Sequence, residues 1–133
     1  MKRSSIVLLL GAAVLFASCS KDNPQPEQKL SDVLIVNNGN WNANDACISS
    51  YNLTTGEVSS ELFFAANGLR LGDLAQDIIC YDDKILIAVS GSKIIFVCDR
   101  DLKIVAQITK DYSPRAFCIG DGKIYVSYYE GYL

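Results

Sequence analysis

The chain has 133 residues and no histidine. That absence removes Ser-His-Asp and Cys-His nucleophile systems, His-ligated zinc or iron, and c-type haem ligation from its chemistry. Positive charge is also scarce: 12 Lys+Arg stand against 15 Asp+Glu, a formal net charge of -3. Nucleic-acid binding needs a broad basic footprint, so no nucleic-acid partner is expected. None of the 5 cysteines lies in a Cys-x-x-Cys spacing, which argues against a zinc or iron–sulfur site. No cofactor or metal is expected. What is present is the composition of a folded domain, 50% hydrophobic and 20% charged, and at this length one domain at most is expected.

The first residues read as a targeting device. Lys2 and Arg3 precede an apolar run from Ile6 to Phe16, the size of a signal-peptide core and too short to span a hydrocarbon layer of ~30 Å. The run ends in Phe16-Ala17-Ser18-Cys19, which resembles a bacterial lipobox with Phe in place of the usual Leu. Residues 1–18 are therefore expected to be removed as a lipoprotein signal peptide, with Cys19 acylated as the mature N-terminus. Two or three acyl chains give stable anchoring at about 0.8 kcal/mol per buried CH₂. Loss of Lys2 and Arg3 leaves 10 basic against 15 acidic residues, a formal charge of -5. Ser20-Lys21-Asp22-Asn23 resembles the acid-containing surface-export signals of Bacteroidetes lipoproteins. Pro24 and Pro26 lie in a polar stretch that reads as an extended tether, residues 19–31. The expected location is the outer membrane, lipid-anchored and facing the cell surface.

From Ser31 onward no amphipathic helix is evident, and short apolar runs alternate with turn signals, the pattern of an all-β chain. Nine strands are expected, at 33–37, 48–52, 57–64, 75–81, 84–90, 94–98, 103–108, 114–119 and 123–129. Turns are expected at Thr54-Thr55-Gly56, Asp82-Asp83, Arg100-Asp101 and Asp121-Gly122. Ile78 to Ile87 matches Phe117 to Val126 at an offset of 39 residues, and Ile48 to Val58 matches Ile94 to Ile104 at an offset of 46. Four strands per repeat, some apolar on both faces, fit β-propeller blades packed between neighbours. A β-sandwich would show cleaner alternation.

Val36-Asn37-Asn38-Gly39-Asn40-Trp41, Leu71-Gly72-Asp73-Leu74-Ala75-Gln76, Ser113-Pro114-Arg115 and Asp121-Gly122-Lys123-Ile124-Tyr125-Val126 together resemble the YncE-like, YVTN-repeat β-propeller lipoproteins of Bacteroidetes. An acidic residue commonly stands in that family where this chain has Asn38. The resemblance implies a ring that starts at the second strand of its first blade, with only the N-terminal part of the ring present in residues 32–133. Blade one is expected at 33–64, blade two at 75–108, and the start of blade three at 114–133. Fewer than three blades would leave the chain unable to close, since rings typically hold about 4–8.

In such a blade, the loop between the second and third strands and the crossover to the next blade share one end. That end collects Asn38–Asp45, Ala66–Asp73, Gly91–Lys93, Lys110–Arg115 and Tyr129–Tyr132. From the offsets, the first of these loops carries six residues more than its counterpart. Asn40, Asn42 and Asn44 surround Trp41, the only tryptophan, and amides beside an aromatic plate suit an uncharged or amphiphilic ligand. The competing reading makes the asparagines turn-formers and Trp41 a plug between blades. Arg70, Asp73 and Arg115 resemble inter-blade residues of the family, with Arg115 either presented to the central funnel or paired with a neighbouring acid. Tyr129 is a candidate rim aromatic, whereas Tyr125 reads as core. Cys47, Cys80, Cys98 and Cys118 allow three full pairings and are expected to be mainly buried thiols. Asp82-Asp83 and Asp99-x-Asp101 are read as turn acids, not as calcium ligands.

These observations lead to a non-enzymatic surface protein that captures a small molecule. By the resemblance, the ligand is a corrinoid such as cobalamin, passed to a TonB-dependent transporter; the amides beside Trp41 suit a glycan as well. The alternatives are a propeller enzyme of quinoprotein or lactonase type with its catalytic groups in other blades, and a non-functional truncated fragment.

Overall fold

The computed structural model describes residues 32–131. The expected signal peptide (1–18), Cys19, the expected tether (19–31) and Tyr132 lie outside them. Nine strands and one short helix follow in the order β1 (Asp32–Asn37), β2 (Cys47–Asn52), β3 (Val58–Ser59), α1 (Leu62–Asn67), β4 (Ala75–Tyr81), β5 (Lys84–Val89), β6 (Ile94–Cys98), β7 (Ile104–Thr109), β8 (Pro114–Gly120) and β9 (Lys123–Tyr128). They form three antiparallel sheets, β1-β2-β3, β4-β5-β6-β7 and β8-β9, each with its strands in chain order. The chain is all-β in class.

The turns arise where the sequence supplies residues that tolerate left-handed backbone. Asp82 (φ 51) closes the β4–β5 hairpin, while Asp121 (φ 48) and Gly122 (φ 68) close β8–β9. Asn52 Oδ1 accepts the Thr54 and Thr55 N–H groups at 2.9 Å each. Asp99 Oδ1 takes Asp101 and Lys103 N–H at 3.0 and 2.9 Å, which stabilises the β6–β7 turn.

The 39-residue repeat is visible in the backbone. A bulge interrupts β4–β5 pairing between Ala75 and Asp77, and another interrupts β8–β9 pairing between Pro114 and Ala116. Ser90 N–H donates to Leu74 O, and Tyr129 N–H donates to Ser113 O, both at 2.9 Å. Each member of these pairs lies 39 residues from its counterpart.

The middle of the second sheet, β5 and most of β6, is covered on both sides. Ile85, Ile87, Val89, Phe96 and Cys98 form one cluster with Ile48, Phe63 and Leu71, with Leu34 and Val36 packed against it. On the opposite face Leu86, Ala88 and Ile95 are buried, where β4 and β5 meet β8. Double burial explains why β5 and β6 read as continuous apolar runs. Polar contacts pin the sheets together: Ala75 N–H donates to Asn38 O at 3.1 Å, Ala46 N–H to Gly72 O at 3.2 Å, and Phe117 N–H to Asp77 Oδ2 at 2.7 Å.

Three expectations need correction. The strand expected at 57–64 ends at Ser59, and Leu62–Asn67 is helical. Leu62, Phe63, Ala66 and Asn67 fall on one side of that turn of helix, so Phe63 reaches the core and packs 4.9 Å from the Phe96 ring. Gly68, at φ 68, ends the helix by donating its N–H to Phe64 O. Asn67 then ties the helix to the second sheet, with Nδ2 on Phe63 O and Leu102 O (2.9 and 2.8 Å) and Oδ1 on Ile104 N–H (3.0 Å).

The second correction concerns register. With Ile35 in the place of Ile87, the pairings Ile35–Ser49 and Ile87–Phe96 set Ser49 against Phe96, an offset of 47 instead of 46. A one-residue slip exchanges the faces of a strand, and it is this register that turns Ile48 into the core. The β1–β2 loop, residues 38–46, is therefore five residues longer than the β5–β6 loop, residues 90–93, not six.

The third correction is burial. Of the four described cysteines, all free thiols, only Cys98 is buried; Cys47 is half-buried, and Cys80 and Cys118 are exposed. Cys118 sits opposite Tyr125 on the outer side of the third sheet. Tyr125, read as core, is 47% exposed.

Candidate functional site

The long β1–β2 loop is held by a staple at its base. Asn40 donates its backbone N–H to Asp45 Oδ1 at 2.7 Å and its side-chain Nδ2 to Oδ2 at 2.8 Å. These two bonds, with a smaller contribution from the Arg70 charge, hold the Asp45 carboxyl below its ordinary range. Gly39 makes the staple possible, because at φ 78 a Cβ there would stand 2.5 Å from Asp45 Oδ1. Asn42 (φ 60) and Asn44 (φ 52) both adopt left-handed backbone, which Asn tolerates better than most residues. Asn42 and Asn44 thus shape the turn through their backbones, while Asn40 makes the staple.

A second attachment joins this loop to the crossover between sheets. Asn42 N–H donates to Asp73 Oδ2 at 3.0 Å, and Asp73 N–H donates to Ser92 Oγ at 2.9 Å. Gly72 allows the approach: at φ 128, a Cβ would lie 2.6 Å from Ser92 Oγ. Gln76 Nε2 donates to Asn38 Oδ1 at 3.1 Å, a role that the neutral amide of Asn38 fills without a carboxylate. Asp73 Oδ1 is buried and has no donor among the described residues.

Trp41 rides on this pinned loop with 70% of its surface exposed. It plugs no junction between sheets. Arg70 is exposed and lines an open hollow of about 250 Å³ with Glu61 and Phe64. Asn40, Trp41, Asn42, Asn44, Arg70 and Asp73 thus belong to one neighbourhood, built by the first loop and the first crossover.

Arg115 and Tyr129 form a separate pair on the third sheet. The Arg115 guanidinium lies 5.5 Å from the centre of the Tyr129 ring, a cation–π contact at an exposed site, so among the described residues it meets an aromatic face and not a neighbouring acid. Ser113 N–H and Oγ both bond Glu130, and the Ser113 backbone bond is the main reason the Glu130 carboxyl sits below its ordinary range. Lys93 Nζ reaches Asp111 O at 2.9 Å.

Sequence reasoning missed Asp45, Ser92 and Glu130, the residues that fix these loops. The available signals were Gly39 and Gly72 next to short polar residues, a mark of close backbone approach. Chemically, the first loop offers amide donors and acceptors and an indole face on a rigid base. Among the described residues no three His, Cys, Asp or Glu side chains gather as a metal-binding group, and no helix there is long and apolar enough to cross a membrane. No protein-family model matches the chain, and no curated protein matches it.

Proposed function

We propose that this chain is a lipid-anchored surface protein that binds a small molecule without transforming it, and that its domain is the N-terminal part of a YncE-like β-propeller. The observation that carries the binding role is Trp41, exposed at 70% on a loop stapled by Asn40–Asp45 and tied to Asp73. Exposing an indole while fixing its backbone has a cost in apolar hydration and gains nothing for the core, but it prepares a stacking surface. Amides at 40, 42 and 44 beside that surface favour an uncharged or amphiphilic ligand, a corrinoid or a glycan, handed to a TonB-dependent transporter.

The propeller is supported by the repeat. β5, the second strand of its sheet, and β1 take equivalent places 52 residues apart, and each contacts the first strand of the following sheet, β8 and β4 respectively. Anchoring rests on Cys19, outside the described residues.

Trp41 is the only tryptophan, so indole emission reports on this loop alone. Titrating the full chain in detergent with soluble oligosaccharides should give a saturable blue shift. Calorimetry should register cyanocobalamin or cobinamide if the ligand is a corrinoid. Trp41→Ala should weaken binding by about 1–3 kcal/mol and leave the melting temperature almost unchanged. An unaltered affinity, or no saturable response to either class, would remove the reading.

A further inference from the structure

The described arginines differ in what their guanidinium groups meet. Arg100 donates to Asp82 O at 3.0 Å and Arg115 stacks on the Tyr129 ring, but Arg70 makes no hydrogen bond or ion pair among the described residues. It lines the open hollow of about 250 Å³ with Glu61 and Phe64. The Glu61 carboxylate is uncommitted too. Glu61 precedes α1 at left-handed φ 59, a backbone that glycine or asparagine adopts more readily, and its side chain makes no cap bond in return. Phe64, exposed where Phe63 is buried, gives the hollow an apolar wall. The walls are fixed from behind, because Phe63 packs on Phe96 and Asn67 bonds Leu102 O and Ile104 N–H. All three lining residues belong to the segment that joins the first sheet to the second, and both of those sheets are described. The Trp41 loop is tied to the same segment, through the Asn42 N–H bond to Asp73.

We propose that this hollow is the subsite for an oxyanion of the ligand, one carboxylate or phosphodiester. Opposite charges that border a hollow without closing on each other leave room for a group between them, and the planar fork of Arg70 matches a pair of carboxylate or phosphate oxygens. Phe64 then meets the body of the ligand, and Glu61 accepts from a hydroxyl or amide N–H. A second negative charge would be repelled by Glu61, so the ligand carries a single oxyanion beside hydrogen-bond donors. This inference rests on the ligand reading above and narrows it from an uncharged or amphiphilic molecule to one with a single acidic group.

The test uses the full chain in detergent and two probe pairs: a galacturonate trisaccharide with the corresponding neutral galactose trisaccharide, and cyanocobalamin, which carries a phosphodiester, with cobinamide, which lacks it. In at least one pair the parent should bind the oxyanion-bearing member about five- to tenfold more tightly, with a preference that shrinks as salt is added. Arg70→Gln should abolish that preference and leave binding of the other member unchanged. Arg70→Lys should keep part of it, since the charge remains without the fork. Arg70 is exposed, so thermal melts of both variants should match the parent. A preference in the sugar pair assigns the subsite to a carboxylate, and one in the corrinoid pair to a phosphodiester. Binding with no preference, or a preference that survives Arg70→Gln, would overturn the proposal and leave the ligand reading in place. Binding of none of the four probes would remove both.

Discussion

The second and third sheets carry the same repeat, yet equivalent positions behave differently. Leu86 and Ala88 are buried while Tyr125 is exposed and Ser127 half-buried; Ile87 is fully buried while Val126 is half-buried. Backbone pairing does not account for this, since both hairpins share the same bulge and the same turn position. The difference is in the neighbours: among the described residues, flanking layers cover both sides of β5 and most of β6, whereas β7 is largely exposed and β8–β9 has a neighbouring sheet on a single side. In a stacked repeat, burial is therefore a property of the layer and not of the residue alone.

The comparison is sharpened most by deleting matched side chains. Ile87→Ala leaves a cavity in the most enclosed layer and should cost about 2–5 kcal/mol, read as a lower denaturant midpoint. Val126→Ala, its counterpart in the third sheet, removes a similar side chain from a half-covered site and should cost about 1 kcal/mol. Equal losses would mean that the third sheet is as enclosed as the second, and the layer argument would fail.

Cysteine offers an intermediate effect with a pH signature. Burial, followed by the nearby Asp99 charge, pushes the Cys98 thiol up to about 11 from 9.0, because the thiolate is poorly solvated there. The folded state therefore retains a proton that the unfolded chain gives up earlier. Stability from this group is fully present below pH 9 and is lost as pH rises through 9 toward 11, by up to about 2–3 kcal/mol. Since Lys and Tyr titrate in the same range, the measurement is the difference in unfolding free energy between the parent and Cys98→Ala, which should narrow across that window. Parallel curves would contradict it. At pH 8 a disulfide reagent should modify Cys118 in the folded protein and reach Cys98 only after unfolding.

The same dependence on neighbours explains what could be read in the residues beforehand. Eight of the nine strands fall within two residues of their expected bounds, because Asp82-Asp83 and Asp121-Gly122 mark turns by their own backbone preferences. The helix at Leu62–Asn67 was hidden because Leu-Phe-Phe-Ala-Ala is too short a run to distinguish a period of 3.6 from one of 2. The β2 register was hidden because Cys47-Ile48-Ser49-Ser50 lacks the alternation that identifies a face. At the candidate site, the Asn-rich loop and Trp41 were legible from composition. The Asn40–Asp45 staple and the stacking of Arg115 on Tyr129 were not, since both depend on where the chain returns in space.

The smallest effect compares two corresponding loops. Residue 42 in the long β1–β2 loop and residue 93 in the short β5–β6 loop both sit at left-handed φ, 60 and 56, but one is Asn and the other Lys. Asn tolerates this backbone and Lys pays more for it, typically about 1 kcal/mol for a residue with an ordinary Cβ. Asn42→Ala should therefore destabilise the protein by about 1 kcal/mol, and Asn42→Gly should be nearly neutral, because the bond to Asp73 is made by the backbone N–H and survives both changes. Lys93→Asn should gain a few tenths of a kcal/mol at most, since it relieves the backbone but gives up the Lys93 Nζ bond to Asp111 O. Urea midpoints of the three variants measure the ordering. If Asn42→Gly loses as much as Asn42→Ala, the Asn42 side chain is holding the loop through contacts of its own, and the loop would owe its shape to more than backbone tolerance.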